Sequence, residues 1–207
     1  MNGFEGVEGF VFDCDGTLID SLGAWEEAER DLFAQSGPLT QEQEDEIHSA
    51  PIEKAAEIFH EKYGVGESSE AVLAHLDGHL LDFYAHKAVG MPGACAFVRK
   101  AFESGAPCVV LSSSPRRYLD AGLKRIGIRD CFVELVTTDE TGCSKQDAAI
   151  YERALSILGS DAASTWAFDD APYAIFAMHS AGLKTVCVGP RSSEYADMNV
   201  NSFECLL

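Results

Sequence analysis

The chain has 207 residues, enough for one mid-sized domain with an insertion or two small domains, and its hydrophobic and charged fractions are those of an ordinary globular protein. Its formal net charge of -19 repels phosphate backbones and anionic headgroups, so neither nucleic acid nor a membrane is expected as a partner. Seven scattered cysteines without zinc-knuckle or redox spacing, no apolar run long enough to span a bilayer and no basic-then-apolar leader lead us to expect a cytoplasmic protein.

Gly9 to Phe12 is a short apolar run followed by acidic residues and a glycine, the pattern of a buried strand that delivers Asp13 to its carboxyl end. From Leu22 to Lys87 the periodicity is helical. Trp25, Ala28 and Leu32 recur at helical spacing, Thr40 to Gln43 has the form of a capping box, and Pro51 suits a first turn. Leu73, Leu76, Leu80, Phe83 and Tyr84 form one apolar face, and Gly64 and Gly66 punctuate the block.

After Gly90-Met91-Pro92-Gly93 helices alternate with short apolar runs. Helices are predicted over Ala94–Glu103, Tyr118–Ile126, Ser144–Leu158 and Tyr173–Ala181, with Ser144 and Asp147 as cap and partner of the third. Strands are predicted over Cys108–Leu111, Phe132–Val136, Thr165–Phe168 and Lys184–Val188. Such alternation predicts an α/β fold with a mostly parallel sheet. One strand precedes the helical block and the others follow it. The block is therefore an insertion: a core of residues 1–19 and 89–207 and a helical unit of residues 20–88.

Ligands of an open α/β sheet sit beyond the carboxyl ends of its strands. There the sequence places Asp13 and Asp15, the run Ser112-Ser113-Ser114, the pair Asp169-Asp170, and Lys145 opening a helix. Carboxylates with water and a phosphate suit the oxygen shell of Mg²⁺. A carboxylate can attack phosphorus, and a second acid can protonate the leaving alcohol and then activate water. Each residue also has a plainer reading: a turn at Asp13 to Gly16, helix capping by Ser112 to Ser114 and by Asp169-Asp170, and a solvated first-turn lysine at Lys145. The histidines, His48 among them, and Trp25 read as packing residues rather than ligands; His75 and His79 are i,i+4 neighbours but lack the glutamate of a zincin.

Asp13-x-Asp15-Gly16-Thr17 after an apolar strand, Ser112 after Val109-Val110-Leu111, Lys145, and Asp169-Asp170, in that order, resemble the four motifs of the haloacid dehalogenase superfamily. The branch resembled has a helical cap inserted after the first motif and includes β-phosphoglucomutase-like phosphatases. The resemblance implies a Rossmann-like three-layer core and a Mg²⁺-dependent phosphatase. It implies Asp13 as nucleophile and metal ligand, and Asp15 as general acid/base whose carbonyl also binds metal. It implies that Thr17 orders the first loop, that Ser112 and Ser113 bind phosphate, and that Lys145 orients Asp13 and neutralises charge there. Asp170 would be the main fourth-motif ligand, with Asp169 bound directly or through water. Two positions depart from the family habit: Gln146 stands where proline often follows the lysine, and Ala171 where serine is usual.

Asp15 argues against a dehalogenase, which lacks that second acid. Trp25 stands where the mutases carry a histidine on the first cap helix, which favours hydrolysis over a β-phosphoglucomutase-like phosphotransfer. A non-catalytic phosphate-sensing or partner-binding protein is the alternative from another class. The helical unit carries sixteen Asp or Glu and four Lys or Arg, so few cations could grip a second anionic group. The expectation is a small phosphomonoester, such as a sugar phosphate, with a neutral or cationic leaving group, and a monomer or weak homodimer.

Overall fold

The computed structural model describes residues 3–207. The side chains of Asp45, His48 and Ser49 lie outside the described residues, and with them the reading of His48 as a packing residue. Six strands form one parallel sheet in the order β3-β2-β1-β4-β5-β6. They are β1 (Gly9–Phe12), β2 (Cys108–Ser112), β3 (Glu134–Thr137), β4 (Thr165–Asp169), β5 (Lys184–Val188) and β6 (Met198–Val200). Helices α1 (Leu22–Ser36), α2 (Gln41–Ser49), α3 (Ile52–Glu57) and α4 (Ser69–Asp82) lie between β1 and β2 in the chain. They are followed by α5 (Ala94–Glu103), α6 (Arg116–Arg125), the short α7 (Thr138–Thr141), α8 (Ala148–Leu158) and α9 (Pro172–Ser180). Among the described residues no helix is long and apolar enough to cross a membrane, and all seven cysteines are free thiols.

Every residue of β1, β2 and β4 is buried, as expected where helices cover both faces of a parallel sheet. Alternation along the strands separates two layers of core. Phe10, Phe12 and Phe168 face one side and pack with Phe97 of α5; the Phe12 and Phe168 rings stack with centroids 4.9 Å apart. Val11, Val109, Leu111 and Ala167 face the other side, against Ile150 and Ala154 of α8 and Ile175 and Met178 of α9. The sheet order reverses direction at β1, whose neighbours are β2 and β4. That switch point opens a crevice beyond the carboxyl ends of these strands.

The helical segment is joined to the core through α6. Tyr84, in the π-turn Phe83–Lys87 that continues α4, stacks on Tyr118 with ring centroids 5.3 Å apart and planes 6° from parallel. Asp77 of α4 accepts hydrogen bonds from Arg117 Nη2 at 2.7 Å and from Tyr118 Oη. Gly122 of α6 makes room for this contact, since a Cβ there would lie 2.7 Å from Ile19 and 2.8 Å from Tyr84.

Several predicted boundaries move. The capping box forms as expected, with Thr40 N–H donating to Gln43 Oε1 at 2.8 Å. The helix predicted from Ser144 begins instead at Ala148. Asp147 Oδ2 accepts from the Ser144 N–H at 2.7 Å and the Ser144 hydroxyl at 2.9 Å, so the pair closes a loop turn in the reverse sense to that expected and competes with the helix. Lys145 therefore lies in a loop, not on a first turn. The third strand starts at Glu134 and runs to Thr137, and α6 starts two residues early, at Arg116 directly after Pro115. Edge strand β6 has no apolar run to announce it; backbone pairing with β5 and the Thr185–Asp197 hydrogen bond at 2.7 Å hold it.

Gly93 has φ +79°, and a Cβ there would lie 2.5 Å from the Glu204 nitrogen and 2.8 Å from the Phe203 carbonyl carbon. Both obstacles are backbone, so Gly93→Ala should lower stability by roughly 1–3 kcal/mol. Urea unfolding should show it as a lower midpoint at unchanged slope.

Candidate active site

Asp13 directly follows β1 and is placed by its own N–H, which donates to the Phe168 carbonyl of β4 at 2.9 Å. The loop that follows is closed by local backbone bonds: Gly16 N–H to the Ile19 carbonyl at 2.9 Å, and Leu18 and Ile19 N–H to the Cys14 carbonyl at 2.8 Å. Gly16 has φ +78°, and a Cβ there would press on the Asp170 carboxyl at 3.1 Å, so glycine lets this loop lie against the end of β4.

The Lys145 ammonium is 6 % exposed and donates to Asp13 Oδ1 at 2.5 Å and to Asp169 Oδ2 at 2.9 Å. This rules out the solvated-lysine reading. Burial works to deprotonate Lys145, but the charges of Asp13 and Asp169 outweigh it and raise the pKa well above that of a free lysine. The other oxygen of Asp169 accepts the Ala171 N–H at 2.8 Å, a turn ahead of α9 and not a cap of it, since α9 has no side-chain cap. Asp170 is mostly buried, with Arg191 Nη1 3.9 Å from its Oδ2. One carboxylate oxygen from each of Asp13, Asp169 and Asp170 lies within 4.8 Å of the others, a donor set able to hold a divalent cation.

The Asp15 side chain is outside that trio. Its Oδ1 accepts from the Ser21 hydroxyl at 2.6 Å and from Tyr84 Oη, and its Oδ2 accepts from the Ser114 hydroxyl at 2.7 Å. Ser112 Oγ accepts the Ser114 N–H at 3.0 Å, a local turn ahead of α6, which has no side-chain cap. Thr17 is fully buried and its hydroxyl has no hydrogen-bond partner among the described residues; backbone bonds alone close the loop it was expected to order. Beside Lys145 opens a cleft of about 480 Å³, lined among others by Ser113, Thr138, Ser144, Tyr173 and, from the helical segment, Pro51.

A family profile described as haloacid dehalogenase-like hydrolase matches residues 7–182. The chain belongs to that family. It is 28% identical over 187 residues to the validoxylamine A 7'-phosphate phosphatase of Streptomyces hygroscopicus subsp. limoneus, covering 90% of this chain and 87% of that protein. It is 24% identical over 181 residues to hexitol phosphatase B of Escherichia coli K12, covering 86% and 82%. Among solved structures, a putative β-phosphoglucomutase from Thermotoga maritima superposes with a TM-score of 0.73 over 96% of both chains at 22% identity, a likeness of fold.

In this hydrolase the sequence pattern brought out the residues at the strand ends but not those that hold Asp15. Tyr84 was legible only as part of an apolar face, and Ser21 carried no signal. Ser114 was legible only within a serine run. Desolvation first, and the Asp13 charge second, raise the Asp15 pKa above the ordinary carboxyl range, against the lowering effect of its three hydroxyl donors. Burial, partly offset by Lys145, lifts Asp169 to about 6. Burial, with Asp13 and Asp169 adding to it, lifts Asp170 to about 7.

A carboxyl whose pKa rises on folding holds its proton more tightly in the folded chain. Its contribution to stability is therefore lost as pH climbs from the unfolded value towards the folded one. For Asp170 that window runs from 3.8 to about 7. Thermal melts in metal-free buffer should show Tm falling less steeply across this window in Asp170→Asn than in the parent protein.

Proposed function

We propose that this hydrolase is a Mg²⁺-dependent phosphatase that cleaves a small phosphomonoester through an aspartyl phosphate on Asp13. The state of Asp13 carries the reading. Lys145 holds its Oδ1, while its Oδ2 is buried and has no hydrogen-bond partner among the described residues. A bare buried carboxylate oxygen costs free energy, so the site favours a group that engages it. A cation among Asp13, Asp169 and Asp170, or a substrate phosphorus, would do so.

The donor set suits Mg²⁺, which takes carboxylate oxygens and keeps several waters. Asp170 is the freest of the three to ligate, because both oxygens of Asp169 already accept hydrogen bonds. When bound, Mg²⁺ would offset the repulsion between these carboxylates and a phosphate dianion. In the reaction, Asp13 Oδ2 attacks phosphorus and the bond from phosphorus to the alcohol oxygen breaks. Asp15 gives its proton to the departing oxygen. As a carboxylate it then takes a proton from the water that attacks the acyl phosphate, which releases inorganic phosphate and restores Asp13. Lys145 keeps Asp13 in place and balances charge as it builds on the phosphoryl oxygens. Ser112, Ser113 and Thr17 would line the phosphate position, and residues 20–88 would act as a cap over the cleft that Pro51 edges.

The relatives named above include a phosphatase of validoxylamine A 7'-phosphate and a hexitol phosphatase. A neutral or cationic leaving group also accords with the acidic helical segment. The compartment we assign is the cytoplasm, whose reducing conditions suit seven cysteines that form no disulfide among the described residues.

A panel of phosphomonoesters assayed with Mg²⁺ and with EDTA tests the proposal. Turnover should require Mg²⁺ and fall by roughly 10³-fold or more in Asp13→Asn. Turnover that survives EDTA or the substitution defeats the mechanism. Highest kcat/KM on bisphosphates would defeat the leaving-group assignment alone.

A further inference from the structure

The two ends of the helical segment meet at Asp15. Trp25 lies one turn into α1, and Tyr84 lies in the π-turn at the far end of α4. The Trp25 indole Nε1–H donates to Tyr84 Oη at 2.9 Å, and Tyr84 Oη–H donates to Asp15 Oδ1. An indole nitrogen can only donate. It therefore occupies acceptor capacity on the Tyr84 oxygen and leaves the phenolic proton directed at the carboxyl. Tyr84 is fully buried, and its ring is fixed independently of its hydroxyl by the stack on Tyr118. Trp25 packs edge-on against the same Tyr118 ring at 6.1 Å.

Asp15 is thus oriented from two sides. Tyr84 and Ser21 hold Oδ1 on the side of the helical segment, and Ser114 holds Oδ2 on the side of the loop after β2. Ser21 is a weak clamp by itself, because its hydroxyl also lies within 3.4 Å of the Ile19 carbonyl and can rotate between acceptors. Tyr84 Oη has no such freedom, since its ring is stacked and its oxygen already accepts from Trp25.

We infer that Tyr84, held by Trp25, is a positioning residue for the acid/base Asp15. The helical segment thereby supplies part of the catalytic geometry as well as covering the cleft. The inference rests on the phosphatase reading above and goes beyond it. A misplaced acid slows proton delivery to the leaving oxygen, and how much that matters depends on the leaving group. An alkoxide needs the proton; p-nitrophenolate leaves without it. A purely structural role for Tyr84 would not distinguish the two.

The experiment compares kcat/KM for p-nitrophenyl phosphate with that for sorbitol 6-phosphate, or for whichever alkyl ester of the panel above is turned over fastest. The enzymes are the parent, Tyr84→Phe, Trp25→Phe, the double variant, and Asp15→Asn as the limit. Removing the Tyr84 hydroxyl should cost the alkyl ester at least about tenfold more than the aryl ester, within the range of roughly 10²–10⁴ that a general acid contributes. Trp25→Phe should show a smaller loss of the same selectivity. The double variant should be no worse than Tyr84→Phe, because Trp25 acts only through that hydroxyl. Equal losses on both esters, a gain on the alkyl ester, or additive effects of the two substitutions overturn the inference. If Tyr84→Phe melts below the assay temperature, the ester comparison on Trp25→Phe decides by the same criterion. Asp13→Asn separates the two levels of argument. If it is inactive while Tyr84→Phe is unselective, only this inference falls; if it stays active, the phosphatase mechanism falls.

Discussion

The Lys145 ammonium lies buried between Asp13 and Asp169, and most of the site depends on that contact. Without it, three carboxylates would face one another in a space only a few ångströms wide with no interior positive charge to hold them. Leaving a buried ion pair without one partner costs roughly 3–5 kcal/mol, so the lysine must be brought in and kept there. The chain does this with a loop instead of a helix. The Asp147 side chain closes a turn on Ser144, and the Tyr151 hydroxyl of α8 donates to the Lys145 carbonyl at 2.5 Å. These two contacts restrain the loop on either side of Gln146 without a proline ring to stiffen it.

The sheet determines where that loop must reach. β1 is its central switch strand and carries Asp13; β4, bonded beside it, carries Asp169 and Asp170. Stacked phenylalanines on one face and aliphatic side chains on the other leave β1 and β4 little freedom to slip relative to each other. The carboxylates are therefore set close together by the packing of apolar residues that have no part in the chemistry.

The helical segment was expected to matter through its charge. Its tertiary contacts give it a second role. Asp77 is tied to Arg117 and Tyr118 of the core, and Tyr84 and Trp25 lead from that junction to Asp15. Part of its acidic surface thus serves as the attachment between the two parts of the chain. The position of the segment and that of the Asp15 carboxylate are thereby linked.

Short apolar runs and helical stripes were sufficient to read the α/β fold and the order of Asp13, Ser112, Lys145 and Asp169-Asp170, because each of these signals is local. Boundaries set by side chains that compete with the backbone, as at Ser144 to Asp147, were not legible, and neither was edge strand β6, whose pairing comes from a neighbouring strand. The holders of Asp15 were hidden for the same reason. Tyr84 and Asp15 are separated by 69 positions in the chain, and an aromatic on an apolar helical face looks like core whichever way its hydroxyl points. The sequence by itself determined which reactive groups the protein possesses and which strand ends present them. Only the tertiary structure decided that Lys145 is buried between two carboxylates and that the helical segment grips Asp15, since both are contacts between elements far apart in the chain and depend on how those elements pack.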